Sequence, residues 1–499
     1  MTDAKGRAPV LEVGRTCWRK ARSGRFALIV DAADYFKHLK DAMTRARHQI
    51  LLIGWDFDPR IRLSPENSDG EWPNRLGDFI NALVERRPEL NIHVLKWDLG
   101  VIYTMGRGST PLFVLDWLTD ERIHLRLDGV HPPGACHHHK IAVIDDAVAF
   151  CGGIDITVGR WDTPEHLDRD ERRDSPWGFS QPPWHDATAA VDRDGARVIG
   201  ELARKRWKIA EGEDLPTPPD PEHDVWPEGL EPSLHDVEVG IARTRPEHGG
   251  YEEEREIEAL YLAAIASAER SIYIESQYFA SHRVAEVIER RLGEPDGPEI
   301  VIVNPLSTDG WLEETVMGAA RAVLFGRCRK ADRFGRFRMY HPVASGGTPI
   351  YVHAKVMVVD DRLLKVGSSN LNNRSMGLDT ECDITVEADR PDVSEGICAA
   401  RRRLLAEHLG VEPADVARAE EESGGSLIAV IEGLRKPEGR TLVPLEPAPV
   451  TESERLMVDE RLLDPERPRS VKTQVAKLAR AGRAVFGGSA GRKTFSRAR

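Results

Sequence analysis

The sequence feature that most constrains this chain is a short pattern that occurs twice. The two copies lie in the segments His137–Asp145 and Val352–Asp360. The pattern begins at the second residue of each segment and consists of His, any residue, Lys, four mostly apolar residues and Asp. After the same interval of six residues, each Asp is followed by small residues, at Gly152-Gly153 and at Gly367-Ser368. One such pattern could arise by chance, but two with the same internal spacing indicate a duplicated domain whose chemistry needs both copies.

The pattern has a physical logic if each copy is a β-strand. Side chains alternate between the two faces of a strand, so His138 and Lys140 lie on one face, as do His353 and Lys355. If the two copies meet, two imidazoles and two ammonium groups converge. Such a site suits a phosphodiester, because lysines hold phosphate oxygens as point charges, one neutral imidazole attacks phosphorus and a protonated imidazole donates to the leaving oxygen.

These residues resemble the paired HKD motifs of the phospholipase D superfamily. Further segments in the family's order narrow the resemblance to the eukaryotic-type phospholipases D, and together they span roughly residues 25–410. These segments are Val148–Asp155, Gly159–Asp162, Pro183–Asp186, Ile272–Phe279 and Asn372–Met376.

The resemblance implies an α/β fold of two homologous α/β/α sandwich lobes, related by a pseudo-twofold axis with the site at their seam. The hydrophobic pattern agrees, because buried runs such as Ile50–Ile53 and Ile300–Val303 alternate with helical periodicity. The predicted organisation is an N-terminal arm (1–24), a first lobe (25–210), a Pro-rich acidic linker (211–236), a second lobe (237–410), an extension (411–466) and a basic tail (467–499).

The resemblance also implies roles for the motif residues. His138 is the expected nucleophile, which forms a phosphohistidine, and His353 the expected general acid, although the sequence by itself does not order the two. Lys140 and Lys355 are expected to contact the phosphate.

Four acidic residues belong with this catalytic set. Asp186 and Glu381 occupy matching positions in the two lobes, and we expect them to orient the imidazoles; the alternative is an ordinary charge at a strand edge. Asp145 and Asp360 are part of the family's motif. Their place at the far end of each motif strand predicts a structural role, in which they bind backbone amides in the turn.

The predicted substrate-binding residues follow the motif strands or lie in the flanking motifs. Asn370 is expected to donate to a phosphate oxygen, and Ser368 and Gln277 are grouped with it. Asp155 stands where Asn is more common, so an alternative role is to hold a lysine. Trp184 is expected either to line a lipid-facing pocket or to pack in the core.

Composition restricts the remaining possibilities. The 499 residues include 69 Lys and Arg against 82 Asp and Glu, a formal charge of −13, so the chain lacks the basic character of a sequence-independent nucleic-acid binder and no nucleic-acid partner is expected. The six cysteines are scattered, which predicts a reducing compartment. No signal peptide and no run of about 18 apolar residues is evident. We therefore expect a cytoplasmic protein that meets a membrane at its surface.

No metal or other cofactor is expected. His137–His139 could suggest a metal site, but strand alternation sends His139 to the opposite face and no carboxylate-rich cluster accompanies the triplet. The sequence leaves the oligomeric state open. The tail at 467–499 could contact anionic headgroups or be a solubilising segment.

The predicted function is that of a phospholipase D, which hydrolyses the distal phosphodiester of glycerophospholipids to phosphatidic acid and a headgroup alcohol, with transfer to other alcohols as a chemical possibility. Three alternatives remain: a phosphatidyltransferase of the cardiolipin synthase type, a nuclease or other phosphodiesterase of the superfamily, and an inactive lipid-binding scaffold.

Overall fold

The computed structural model describes residues 8–67, 69–98, 120–308, 314–448, 450–459, 461 and 464–468. Almost all of the predicted basic tail lies outside these residues. In the described part of the chain, no helix is both long and apolar enough to cross a membrane.

The first half of the chain alternates strands and helices, and a 3₁₀ turn at Glu171–Arg173 interrupts the long loop between its sixth and seventh strands. Its elements are β1 (Arg19–Val30), α1 (Ala32–Arg45), β2 (Gln49–Gly54), α2 (Leu76–Arg86), β3 (Asn91–Trp97), β4 (Ile123–Asp128), β5 (Ile141–Ile144), β6 (Val148–Gly152), β7 (Trp184–His185), β8 (Ala187–Asp192) and α3 (Arg193–Glu211).

The second half has the main strands and helices in the same order, with several short elements added or placed differently, and it continues with three further helices and a strand. Its elements are β9 (Leu234–Arg245), β10 (Glu254–Arg255), α4 (Glu256–Ala266), β11 (Ser271–Glu275), α5 (His282–Gly293), β12 (Glu299–Val303), a π-helical turn (Glu314–Gly318), α6 (Ala319–Ala331), β13 (Phe337–Val343), β14 (Tyr351–Val352), β15 (Val356–Val359), β16 (Leu363–Gly367), α7 (Asn373–Gly377), β17 (Glu381–Glu387), α8 (Pro391–Leu409), α9 (Pro413–Glu422), α10 (Leu427–Leu434), β18 (Thr441–Pro444) and α11 (Glu452–Asp459).

The strand order confirms the predicted duplication. From the centre outward, one half of the large sheet is β1-β8-β6-β5-β2-β3-β4 and the other is β9-β17-β16-β15-β11-β12-β13, with β18 added at the edge. Each pair of neighbours has the same direction in both halves; for example, β2–β3 and β11–β12 are both parallel. The halves join through antiparallel pairing of β1 with β9. Two α/β lobes therefore share one continuous sheet.

Helices cover both faces of this sheet. On one face, alternate strand residues such as Leu51 and Val358 pack with α3 and α8 in a core that both lobes share. On the other face, the first lobe packs α1 and α2 on residues such as Leu52, and the second lobe packs α4, α5 and α6 on residues such as Met357. This is the predicted α/β/α layering, and it follows from the period-two alternation of strand side chains.

The structure differs from the predicted arm at the N-terminus. β1 begins at Arg19, so the last residues of the range predicted as an arm belong to the sheet. The reason is the partner strand, because residues 19–23 pair with 237–241 of β9, which is a contact from the distant second half of the chain. Between α3 and β9, residues 212–233 form no helix or strand. The segment predicted as a linker, 211–236, overlaps these elements at both ends, because α3 ends at Glu211 and β9 begins at Leu234.

Candidate active site

The two motif histidines lie just before their strands, and each is anchored by the opposite lobe. The backbone N–H of His138 donates to the carbonyl oxygen of Thr380 at 2.9 Å, and the N–H of His353 donates to the carbonyl oxygen of His185 at 2.8 Å. The short parallel pairing of β7 with β14 continues the second contact. These contacts bring the two motif copies to one seam between the lobes.

Each imidazole is bound by a carboxylate from the other lobe. Nδ1 of His138 lies 3.0 Å from both carboxylate oxygens of Glu381, and Nδ1 of His353 lies 2.7 Å from Oδ2 of Asp186. The structure thus pairs the same residue types that the sequence predicted. The exchange of carboxylates between lobes was not predicted.

The charges of both lobes act on both imidazoles. Burial, followed by Lys140 and then Lys355 of the other lobe, lowers the pKa of His138 well below its usual value. Burial likewise lowers the pKa of His353 well below its usual value, with added contributions from Lys355, Arg160, Lys140 and His138. Both rings are therefore neutral at rest, which is the form in which an imidazole attacks phosphorus.

The two motif lysines have different surroundings. Nζ of Lys140 donates to the carbonyl oxygen of His138 at 3.0 Å and lies 3.2 Å from Oδ2 of Asp155. Nζ of Lys355 donates to the carbonyl oxygen of His353. Burial lowers the pKa of Lys355 to about 7, although Asp186 opposes this shift. Of the two roles considered for Asp155, holding a lysine is the one that agrees with the structure.

The orienting carboxylates are themselves held in place. Glu381 accepts from the hydroxyls of Ser368 at 2.5 Å and Ser375 at 2.7 Å, and Asp186 accepts from the N–H of Ala187 at 2.8 Å. Burial raises the pKa of Glu381 to about 8 and also raises that of Asp186. The prediction that Ser368 binds substrate does not fit, because its hydroxyl is buried against Glu381.

Trp184 lies beside the second histidine, and Tyr351 connects it to Gln277 and Asn370. The indole of Trp184 stacks on Tyr351, with ring centroids 4.5 Å apart, and its centroid lies 5.0 Å from that of His353. Gln277 donates to the hydroxyl of Tyr351 at 2.9 Å, and Asn370 Nδ2 lies 3.5 Å from Gln277 Oε1. Asn370 Oδ1 is buried and has no hydrogen-bond partner among the described residues.

Sequence reasoning did not assign a role to Arg160, which is a further cation at this site. Its guanidinium lies 4.2 Å from the ring centroid of Trp184, and its charge contributes to the lowered pKa of both His353 and Lys355. The signal was available, since Arg160 lies in the Gly159–Asp162 segment that carries the family resemblance.

Asp145 and Asp360 lie at the ends of β5 and β15 that are farther from the histidines. Asp145 accepts from the N–H groups of residues 47, 48 and 49 at 2.6–2.9 Å, and Asp360 accepts from those of residues 269, 270 and 271 at 2.7–2.9 Å. Their inclusion among the catalytic residues does not fit this geometry. The structural role predicted from their position on the strand does fit this geometry. The amides that they bind, however, lie where the chain enters β2 and β11, and not in the turn that follows each motif strand.

Residue types that could hold a metal lie together behind the second imidazole–carboxylate pair. Among the described residues, two buried groups have donor atoms close together; one is Asp31, His166, His185 and Glu407, and the other is His185, Glu275 and His408. The histidines already lie at hydrogen-bonding distances from Glu275 and Glu407, whereas the oxygens of Asp31 lie 3.5 Å from the nearest imidazole nitrogens. These groups were not predicted from the sequence.

Comparisons with known proteins agree with this arrangement. Residues 261–397 match the family described as "Cardiolipin synthase, PLD-like domain". The chain is 27% identical over 469 residues to Phospholipase D A of Dictyostelium discoideum, covering 77% of this chain and 36% of that protein. It is 24% identical over 519 residues to Phospholipase D alpha 4 of Arabidopsis thaliana, covering 81% and 67%.

The chain spans only about a third of the length of the Dictyostelium relative. A solved structure of phosphatidylserine synthase from Haemophilus influenzae has the same fold, with a TM-score of 0.50 at 12% identity over 82% of this chain and 95% of that chain. The duplicated motifs, the mirrored strand order and these relatives lead to one conclusion: the chain is similar in sequence and in fold to members of the phospholipase D superfamily.

Proposed function

We propose that this chain is a phospholipase D that hydrolyses the distal phosphodiester of glycerophospholipids at a membrane surface. The observation that carries the proposal is the pair of imidazole–carboxylate contacts, His138 with Glu381 and His353 with Asp186, exchanged between lobes around a space flanked by both motif lysines. The named relatives support a phospholipid as the substrate.

In the first step, Nε2 of His138 attacks phosphorus, and a P–N bond forms while the P–O bond to the headgroup breaks. Glu381, hydrogen-bonded to Nδ1, stabilises the positive charge that develops on this ring. His353 gives its proton to the departing oxygen, which leaves as an alcohol. His353 is neutral at rest, so we expect the bound phosphate anion to offset the nearby ammonium groups and let this ring take up the proton.

In the second step, His353 removes a proton from water as the water oxygen attacks phosphorus. The P–N bond breaks, phosphatidic acid leaves and His138 is neutral again. An alcohol in place of water gives a new phosphodiester by the same path. Lys140, Lys355 and Arg160 counter the charge that gathers on the nonbridging oxygens in both steps.

The test is mass spectrometry of mixed phospholipid vesicles incubated with the protein. Phosphatidic acid should appear from at least one headgroup class, and it should carry one ¹⁸O when the reaction runs in labelled water. Quenching in alkali should trap a phosphatidyl adduct on the peptide that contains His138. The absence of phosphatidic acid from every headgroup class would refute the proposal.

A second candidate is a phosphatidyltransferase, which the description of the matched family model favours. It uses the same phosphohistidine but needs a lipid alcohol as acceptor. Adding phosphatidylglycerol to the assay separates the two candidates. Product that forms only with this acceptor would identify a transferase, whereas phosphatidic acid formed without it identifies a hydrolase.

A further inference from the structure

A buried cluster of ionisable side chains lies behind His353, and nothing equivalent to its paired histidines is described behind His138. His166 and His185 are fully buried, and each has a carboxylate oxygen near both of its ring nitrogens. For His166 these are Asp162 at 2.9 Å and Glu407 at 3.1 Å. For His185 they are Glu407 at 2.8 Å and Glu275 at 2.7 Å.

This geometry fixes the protonation of the two rings. A neutral imidazole has one N–H donor, and a carboxylate can only accept. When the three carboxyl groups are ionised, these four contacts require both nitrogens of both rings to carry protons. Burial alone lowers the pKa of His166, but Asp31, Asp162 and Glu407 outweigh it and raise the pKa to about 9. Burial is likewise outweighed at His185, whose pKa Glu275 and Glu407 raise well above its usual value.

The cluster is close to charge balance. Arg173 binds Asp162 at 2.9 Å, so one guanidinium and two imidazoliums face the carboxylates of Asp31, Asp162, Glu275 and Glu407. Burial and the neighbouring Glu407 raise the pKa of Asp31 well above its usual value, which reduces the negative charge that this residue contributes to the cluster. Balance matters because an unpaired buried charge costs several kcal/mol.

The cluster continues into the second imidazole–carboxylate pair through the backbone. Asp162 accepts from the N–H of Trp184 at 2.8 Å. Asp31 donates its N–H to the carbonyl oxygen of Asp186 at 2.8 Å, and the carbonyl oxygen of His185 accepts from the N–H of His353. Each residue of the segment Trp184–Asp186 is thus tied to the cluster through its backbone, including Asp186, whose carboxylate binds His353.

We propose that this cluster is a positioning device for the second catalytic pair: it holds two imidazolium groups between carboxylates of both lobes and thereby fixes Asp186 against His353. The proposal rests on the proposed function, because it concerns the ring expected to protonate the leaving group. Glu407 is its central residue, since one of its oxygens accepts from both imidazolium rings.

The experiment compares Glu407→Gln with Glu420→Gln. Glu420 is also a buried carboxylate that binds α8, through Arg401 and Arg402, but has no described contact with the cluster. Turnover is measured on phosphatidylcholine and on phosphatidyl-4-nitrophenol, whose leaving group departs without a proton. Glu407→Gln should lower kcat tenfold or more on phosphatidylcholine and much less on the nitrophenyl lipid, with little change in KM.

Three results would overturn the proposal. The first is an equal loss of kcat on the two lipids in Glu407→Gln. The second is a loss of kcat no greater than that of Glu420→Gln. The third is a stoichiometric transition metal in the purified protein that His185→Gln removes. Inactivity of the wild-type protein on both lipids would instead refute the proposed function. In that case ¹⁵N NMR of histidine-labelled protein tests the cluster without turnover. Two imidazolium signals should persist at pH 8 in the wild type and change in Glu407→Gln, and their absence would overturn the proposal.

A separate observation concerns an exposed apolar surface on the loop between β6 and β7. Leu167, Trp177 and Phe179 are 46%, 39% and 69% exposed, and we call these three side chains the apolar tip. The tip is held rigidly by a turn in which the N–H of Ser175 donates to the carbonyl oxygen of Phe179 at 2.8 Å. Asp168 ties the loop to the second lobe by accepting from the N–H of Gly346 at 2.6 Å.

Two contacts connect the loop that carries the apolar tip to the surroundings of the active site. Trp177 packs under Arg60, which follows the carboxyl end of β2, and the loop leads directly into Trp184 beside His353. The loop segment 162–183 has six carboxylates and three arginines. Because its net charge is negative, the loop would not be attracted to anionic lipid headgroups. Rigid aromatic side chains of this kind insert at the headgroup level of a bilayer.

We infer that the apolar tip docks the protein on the interfacial region of a phospholipid bilayer and so places the active site over its substrate. This inference also rests on the proposed function. The test compares the double variant Trp177→Ala, Phe179→Ala with Phe334→Ala. Phe334 is 51% exposed but precedes β13, which pairs with the edge strand β18 in the second lobe's half of the sheet.

Binding to phosphatidylcholine vesicles is measured by sedimentation. Turnover is measured with two substrates, phosphatidylcholine in vesicles and monomeric dihexanoylphosphatidylcholine. The double variant should bind vesicles at least tenfold more weakly and turn over the monomeric lipid normally, while Phe334→Ala should match the wild type. Wild-type vesicle binding by the double variant, or an equal loss with both variants, would overturn the inference. A wild-type protein that binds vesicles but hydrolyses neither lipid would refute the proposed function alone.

Discussion

The two halves of the active site are alike at the imidazoles and differ in what surrounds them. Both histidines lie before a motif strand, and both bind a carboxylate from the other lobe. Around the first, Lys140 faces Asp155, and two serine hydroxyls hold Glu381. Around the second, Asn370 stands at the position matching Asp155, and the imidazolium cluster lies behind Asp186.

This difference indicates how a duplicated fold can support a two-step reaction. Duplication supplies two imidazole–carboxylate pairs with the same geometry, whereas the proposed reaction needs one ring to attack and the other to move protons. The surrounding charges differ where the two tasks differ. Four predictions test this comparison, starting with the largest expected effect.

Removing either imidazole should have the largest effect. His138→Ala and His353→Ala should each lower phosphatidic acid formation from phosphatidylcholine by about 10³-fold or more, since each removes a group that forms or breaks bonds. On phosphatidyl-4-nitrophenol, His353→Ala should form a phosphatidyl adduct that accumulates, and His138→Ala should form none. An adduct in the His138→Ala protein would reverse the assigned roles.

Neutralising the exchanged carboxylates should have the next largest effect. Glu381→Gln and Asp186→Asn keep the size of the side chain but replace the carboxylate that contacts Nδ1 and fixes the imidazole tautomer. Each should lower kcat by about 10²–10⁴-fold with a smaller change in KM. Steady-state kinetics on vesicles measures both parameters. If only one variant loses activity, the reaction needs the carboxylate of one imidazole pair and not that of the other.

The second motif lysine should make activity sensitive to alkali. The pKa of Lys355 in the resting protein is about 7, so its positive charge is lost as the pH rises through neutrality. kcat/KM should therefore fall above about pH 7, because phosphate binding loses one cation. In Lys355→Arg the side chain stays charged, so this fall should be flattened between pH 7 and 9. A profile unchanged by this substitution would exclude Lys355 as its source.

The smallest effect on catalysis is expected at the far ends of the motif strands. Asp145→Asn and Asp360→Asn each place an amide group among three backbone N–H donors, which should lower the free energy of unfolding by about 1–3 kcal/mol. Turnover per folded molecule should stay near the wild-type value. Urea denaturation and active-site titration measure the two quantities. A large loss of kcat in well-folded protein would return these residues to the catalytic set.

Much of the site was predictable from sequence because the motifs are local. The spacing of His138 and Lys140, and of His353 and Lys355, specifies which side chains share a strand face, and the repeat specifies that there are two such strands. The matching places of Asp186 and Glu381 indicated their role for the same reason. The duplicated α/β architecture followed from the repeated order of apolar runs.

Other features depended on contacts between distant parts of the chain. Asp31, His185 and Glu407 are separated by more than 150 residues at each interval and meet only because β1, β7 and α8 pack at one seam. The exchange of carboxylates between lobes, the diversion of Ser368 to Glu381 and the extension of β1 into the predicted arm have the same origin. Local periodicity encodes which face of an element is buried, but the partners that meet there are decided by how the elements pack in three dimensions.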